Sequence, residues 1–273
     1  MKGLSMNNQR PLVLFTNDDG IASPGLWSVA RAFEPTAEIL ICAPMRQQSG
    51  TGRSLTGSST GAVVPTEGKG LPAFSVDGTP AQSVQHGVME VATRMPDLVV
   101  SGINYGENCG NGVTISGTVG AALEAACFGI KAIAVSQQTD HNLHHSYSRE
   151  VDFNAGAYFT KIFADWFLQN ELPFDVDFLK IDLPTNATLA TPWRITRLSK
   201  KRVYYPTVPD RQTSYAPQSF GYTMTLDPTQ AEPDSDVYAV FVDKVVSVTP
   251  MSLDMTSRVD INALQQHAER LLD

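Results

Sequence analysis

Apolar residues along this chain fall into two alternating kinds of run, which together predict a sheet covered by helices. Leu12-Val13-Leu14-Phe15-Thr16 is short, apolar and β-branched, as a strand buried on both faces would be. Ser23-Pro24-Gly25 then opens a helix, with proline in its first turn and Leu26, Val29, Ala30 and Phe33 at helical spacing. Strand patterns recur over residues 37–42, 97–101, 132–136 and 178–183. Helical patterns begin at Thr79-Pro80, run from Thr118 to Gly129 and cover residues 154–169. Residues 63–65 and 74–76 read as short strands of an antiparallel excursion. Such alternation predicts an α/β fold: a Rossmann-like, parallel-rich sheet flanked by helices, with right-handed crossovers.

The pattern changes after Pro184. Six of the seventeen prolines lie between Pro192 and Pro233, among Tyr204, Tyr205, Tyr215 and Tyr222. This stretch predicts a C-terminal β-hairpin arm that packs on something, such as another subunit. A strand pattern resumes over 236–249, and residues 259–272 read as a terminal helix. No internal repeat or linker divides the chain. The expectation is one domain over 11–273, with an α/β core (11–185) and an arm, closing strand and helix (186–273) used in oligomer contacts. Residues 1–10 are polar and lack the apolar stretch of a secretory signal, and are expected to be a disordered extension.

Charge and cysteine content narrow the function. A net charge of −8 without a basic run argues against a nucleic-acid polymer or an anionic membrane as partner. No stretch reaches the ~18 apolar residues of a membrane span. A small phosphorylated substrate stays compatible, because a cation and a helix N-terminus supply a local positive field. Cys42, Cys109 and Cys127 lack C-x-x-C spacing, which argues against disulfides and structural zinc and suits a reducing cytoplasm. His141-x-x-His144-His145 has helical spacing, but Asp140 and Asn142 favour a solvated turn there.

Candidate chemistry gathers where strands end. The first strand stops at Asn17-Asp18-Asp19-Gly20. Ligands of open α/β sheets bind outside the carboxyl ends of the strands. Neighbouring carboxylates repel, and a divalent cation is the usual reason to keep them together. On this segment alone a solvated Asp-Gly turn is the alternative. Two further loops offer oxygen ligands, residues 43–50 and 101–110, the second rich in glycine. Ser116-Gly117-Thr118 opens a helix whose N-terminal amides and hydroxyls make an anion site. Oxygen ligation points to Mg²⁺, Mn²⁺ or Ca²⁺ rather than zinc. With few protein ligands, such a site keeps positions for water and substrate, as a metal-assisted hydrolase requires.

On these motifs the chain resembles the SurE family of nucleotidases. Asn17-Asp18-Asp19-Gly20-Ile21 with Ser23-Pro24-Gly25-Leu26 looks like the family's opening signature. Ala43-Pro44 with Gln48-Ser49-Gly50, Gly78-Thr79-Pro80, the run from Asp97 to Asn108, Ser116-Gly117-Thr118-Val119-Gly120-Ala121-Ala122 and Ala134-Val135-Ser136 follow in the family's order. Asp236-Val237 and Val246-Ser247-Val248-Thr249-Pro250 resemble its closing blocks. The resemblance implies a metal-dependent phosphatase acting on nucleoside 5′- and 3′-monophosphates, with short polyphosphate as a further substrate of some members. It implies one divalent cation per subunit, with ligands at Asp18, Asp19, Ser49 and Asn104. Phosphate contacts would fall on Asn108, Ser116, Gly117 and Thr118. A homodimer or homotetramer is expected. Three departures stand out: Gln82 where the family usually has Asp, Lys180-Ile181-Asp182-Leu183-Pro184 in place of Asn-Val-Asn-x-Pro, and a poor match over 201–235.

The expected chemistry has Asp18 and Asp19 as the catalytic acids, with the cation neutralising charge on phosphate as the ester breaks. Water acidified by the cation is the expected nucleophile, and direct attack by Asp19 is the alternative. A haloacid-dehalogenase-like phosphatase needs Asp-x-Asp; here the acids are adjacent and would diverge in an extended segment. A phosphate-accepting receiver domain needs an Asp after the third strand, where Ser101-Gly102 stand. A non-catalytic nucleotide- or phosphate-binding module is the remaining alternative. Phe159, Phe163, Trp166 and Phe167 are expected in the core and His267 on the surface. Cys109 lies in the site loop without a base to activate it. The tyrosines of the arm are expected at a subunit contact rather than in a base-stacking wall.

Overall fold

The buried runs pair edge to edge into one nine-stranded sheet. A computed structural model describes residues 9–67, 70–144, 146–211, 213 and 220–269. Most of the expected N-terminal extension, His145, Tyr215 and the last four residues fall outside these. The strands are β1 (Leu12–Thr16), β2 (Glu38–Pro44), β3 (Val63–Pro65), β4 (Ala73–Val76), β5 (Leu98–Tyr105), β6 (Lys131–Gln137), β7 (Phe178–Leu183), β8 (Trp193–Ile195), β9 (Tyr204–Thr207), β10 (Gly221–Met224) and β11 (Val246–Met251). Their order across the sheet is β3-β4-β2-β1-β5-β6-β7-β11-β8, and β9 and β10 form a separate antiparallel hairpin. Every pairing from β4 to β7 is parallel. The expected antiparallel excursion is therefore corrected in part: β3 turns back on β4, but β4 joins β2 in parallel and extends the main sheet.

Strand order reverses at β1, which has β2 on one side and β5 on the other. Crossovers leave in opposite directions there and open a crevice at the carboxyl ends of β1 and β5, the usual ligand position in such sheets.

Helices cover both faces. They are α1 (Pro24–Phe33), α2 (Pro80–His86), α3 (Gly117–Cys127), α4 (Asn154–Gln169), the short α5 (Asp236–Tyr238) and α6 (Ile261–Glu269). On one face Leu26, Val29 and Phe33 of α1 pack with Phe159, Phe163 and Phe167 of α4. Val84 of α2 and Val119, Ala122 and Ala125 of α3 cover the other. Trp166 corrects the expected core: it lies beside the Phe159–Phe163–Phe167 stripe and is 42% exposed.

Two element boundaries also differ from the sequence reading. β5 runs on past Ser101 to Tyr105, so Asn104 stands on a strand end rather than in a loop. Residues 236–249 are not one strand. Ser235 accepts a hydrogen bond from Tyr238 N (3.2 Å) and starts α5, a wider helical turn follows over 239–243, and β11 begins only at Val246. The Val-rich composition there masked a helix start signalled by Ser-Asp. Among the described residues no helix is long and apolar enough to cross a membrane.

Candidate functional site

The acids after β1 are held by a closed turn. Asn17 donates from Nδ2 to Gly20 O (3.0 Å) and accepts at Oδ1 from Gly20 N (3.1 Å), which fixes the chain as it leaves the buried strand. Asp18 and Asp19 are only 4% and 2% exposed. The segment bends rather than staying extended, and the two carboxylates take different partners. Asp18 Oδ1 accepts from the Thr118 hydroxyl (2.5 Å). Asp19 Oδ2 accepts from Tyr105 N (3.3 Å) and its Oδ1 from Gln47 Nε2 (3.4 Å).

Burial raises the pKa of Asp18 and lifts that of Asp19 well above the carboxylate range; the charge of Asp18 adds to the second effect. Among the described residues neither acid forms an ion pair with a Lys, Arg or His. Two desolvated acids without a counter-charge are costly. An all-oxygen donor set of this kind fits a hard divalent cation.

The start of α3 faces the same pair. Ser116 caps the helix, its Oγ accepting from Val119 N (3.2 Å). The amides of Gly117 and Thr118 turn towards Asp18 and, with the Thr118 hydroxyl, partly offset the effect of its burial. A Cβ on Gly117 would lie 2.7 Å from Asp18 Cβ, so only glycine lets the helix end approach this closely. Thr118 was expected on phosphate, and its hydroxyl is engaged here with Asp18. Asn104 is half-buried and donates to Gly106 O (2.7 Å). Asn108 donates from its side chain to Ser136 Oγ (2.8 Å) and from its main chain to Asp182 Oδ1 (2.8 Å). Ser49 is exposed, in a turn anchored by Gln48 N donating to Asp18 O (2.7 Å). Asp18, Gly117 and Thr118 thus meet directly, Asp19 is held by the main chain next to Asn104, and Asn108 bonds to Ser136 and Asp182 rather than to the acids.

Sequence reasoning missed a second acidic cluster. Lys180 on β7 is fully buried and pairs with Asp182 and with Asp236 of α5 (3.0 Å to the latter). Asp236 also accepts from Gly110 N (3.0 Å) and Ser199 N (2.9 Å), so the cluster ties the site loop to the C-terminal segment. Burial opposes the charge on Lys180, but the two acids outweigh it and hold its pKa above the ordinary value. Cys109 completes this group: one ligand atom from each of Cys109, Asp182 and Asp236 lies within 4.8 Å of the others, close enough to share an ion. The Lys180 ammonium already occupies that role. Burial, then the two acids, push the Cys109 thiol well above its usual pKa, in keeping with an inert cysteine. The one sequence signal for the cluster was the departure at Lys180-Ile181-Asp182.

The histidine turn also differs from the solvated loop expected. His141–Leu143 form a helical turn, and the rings of His141 and Tyr222 meet at 4.6 Å. His144 Nδ1 lies 3.2 Å from the Tyr222 hydroxyl, and Gln47 Nε2 donates to His144 O (2.8 Å) as well as reaching Asp19. The tyrosines Tyr204 and Tyr222 therefore pack against the site side of the core.

The pattern of the family described as "Survival protein SurE" matches residues 13–205. A protein of Methanosarcina acetivorans named 5′-nucleotidase SurE is 38% identical over 263 residues, covering 94% of this chain and 97% of that one. One of Thermococcus gammatolerans with the same name is 38% identical over 256 residues, covering 93% and 94%. The crystal structure of the SurE protein from Aquifex aeolicus superposes with a TM-score of 0.76 at 30% identity, covering 96% of this chain and 100% of that one.

Proposed function

The chain belongs to the SurE family, and from that premise we propose that it is a metal-dependent phosphomonoesterase releasing phosphate from nucleoside 5′- and 3′-monophosphates. The observation that carries the reading is the uncompensated, buried acid pair at the point where strand order reverses. Asp18 and Asp19 would hold one divalent cation, with the Asn104 side-chain oxygen and the Ser49 hydroxyl as further ligands. When bound there, Mg²⁺, Mn²⁺ or Ca²⁺ supplies the positive charge that phosphate oxygens need as the ester breaks.

The chain's own residues do the rest. The Ser116 hydroxyl at the N-terminus of α3 holds a phosphate oxygen, where the helix dipole favours negative charge, while the Gly117 and Thr118 amides turn towards Asp18. Asn108, braced by Ser136 and Asp182, orients a further oxygen. Thr118 keeps the Asp18 carboxylate aligned through its hydroxyl.

A homodimer or homotetramer belongs to the same reading, supported by α6: every residue of this helix is exposed, Ile261 and Leu264 among them. A cytoplasmic location is supported by three cysteines held as free thiols. The test is phosphate release from a panel of 5′- and 3′-monophosphates with each cation or EDTA, for wild type, Asp18→Asn and Asp19→Asn. Release should need the metal and fall about 10²–10³-fold in each variant. Wild-type rates in both variants would overturn the site, and binding without release would leave a non-catalytic module.

A further inference from the structure

Beyond the acid pair, the arm and the site loop line an open cavity of about 610 Å³, within the usual size of small-molecule sites. Glu107, His141, Tyr204, Tyr222, Phe241 and Lys244 are among its walls. It begins one residue from Asn108, about 3.8 Å along the chain. Beside it, Gln47 reaches both Asp19 and His144, whose Nδ1 lies 3.2 Å from the hydroxyl of the lining residue Tyr222. A Cβ on Gly106 would lie 2.7 Å from the His144 ring, so glycine lets His144 pack on the site loop.

The cavity's chemistry is aromatic with one buried acid. The rings of Tyr204 and Tyr222 stand 5.6 Å apart at 84°, and His141 meets Tyr222 edge-on. Glu107 is 7% exposed; its Oε1 accepts from the Tyr204 hydroxyl, while its Oε2 is buried with no hydrogen-bond partner among the described residues. A buried carboxyl oxygen left unpaired is costly, so a polar group from outside the chain is the fitting partner. Burial pushes the Glu107 pKa up to about 7, so the carboxyl is able to donate as well as accept near neutrality.

We propose that this cavity receives the nucleoside half of the substrate, the tyrosine walls packing the base and Glu107 Oε2 pairing with its polar edge. This rests on the nucleotidase reading and deepens it: recognition extends to the base, and the arm is a specificity element. The orphan oxygen belongs to the residue just before Asn108, the proposed phosphate contact, and the aromatic walls line the same cavity.

The test compares kcat/KM for nucleoside monophosphates with that for ribose 5-phosphate, which carries the same phosphate ester without a base. It uses wild type, Glu107→Gln and Tyr222→Ala, each with its usual cation. Wild type should prefer the nucleotides, and each variant should lower the nucleotide-to-ribose-phosphate ratio by about tenfold. Glu107→Gln should also reorder the bases, since an amide presents a different pattern of donors and acceptors. The ratio separates base recognition from a general loss of structure, which lowers both rates together. If one variant does not fold, the ratio in the other decides. Nucleotide preference that survives both substitutions, or a wild type indifferent to the base, overturns the cavity assignment and leaves the nucleotidase reading intact. A wild type that hydrolyses ribose 5-phosphate but no nucleotide overturns both.

Discussion

Asp182 and Asp236 are buried as deeply as Asp18 and Asp19, yet the two pairs obtain their positive charge from different places. The first pair has Lys180 between its members, on the same strand as Asp182 and fully enclosed. The second has backbone amides, a hydroxyl and a glutamine, but among the described residues no cationic side chain pairs with it. One pair is finished by folding. The other is finished only when something charged arrives, and its place at the reversal of strand order leaves it reachable from the ligand crevice. Burial of acids is therefore not by itself a sign of chemistry here; the missing counter-charge is.

The sharpest way to break this comparison is to remove the internal counter-ion. Lys180→Met leaves Asp182 and Asp236 buried and uncompensated, and breaking a buried pair in this way costs about 3–5 kcal/mol. Urea unfolding should show that loss. Because Asp182 accepts from Asn108 N, the site loop should loosen with it. A cost below about 1 kcal/mol, the usual worth of an exposed pair, would mean that the cluster is not what balances these acids.

Next in size is the response to metal. A ligand that binds only the folded protein at a hundred times its Kd stabilises it by about 2.7 kcal/mol. Mn²⁺ or Mg²⁺ should raise the thermal midpoint of wild type, EDTA should reverse the rise, and Asp19→Asn should abolish it. If the metal-induced rise persists in Asp19→Asn and disappears in Asp182→Asn, the open cation site is the second cluster and the comparison is inverted.

What the sequence disclosed and what it hid divide along the same line. The acid pair, the Ser116-Gly117-Thr118 helix start and the apolar strands were legible because each is a local signal, spread over a few neighbouring residues. The Lys180 cluster was not. A lysine in a strand reads as a solvent-facing position, and its second partner lies 56 residues on, in a short helix hidden within a Val-rich run. His144 was read as solvated for a similar reason: the turn chemistry is local, but its packing on Tyr222 joins residues 78 apart. Trp166 shows the converse limit, since helical spacing told which stripe is buried but not how wide it is. Ser49 and Asn108 rest on family resemblance: Ser49 is exposed, one residue from the Gln48 amide that bonds Asp18 O, and Asn108 bonds to Ser136 and Asp182.

Gln82 supplies the smallest test. It stands where the family usually has Asp, and the sequence left open what a carboxylate there would support. In this chain its side chain accepts from Thr79 N (3.0 Å), Thr79 Oγ1 accepts from Gln82 N (3.1 Å), and Gln82 Nε2 donates to Thr56 O (3.1 Å). The first two contacts are a reciprocal cap on α2, and the third pins a surface loop. Like Lys180, Gln82 has all its partners inside the chain, but they are neutral, so its loss leaves no buried charge behind. Gln82→Ala should therefore cost about 1 kcal/mol, the ordinary worth of a lost cap, with the metal-induced rise in thermal midpoint undiminished. Should that rise shrink in Gln82→Ala, the amide would belong with the acid pair as part of the metal site, and the division between self-satisfied and open polar groups would have to be redrawn around α2.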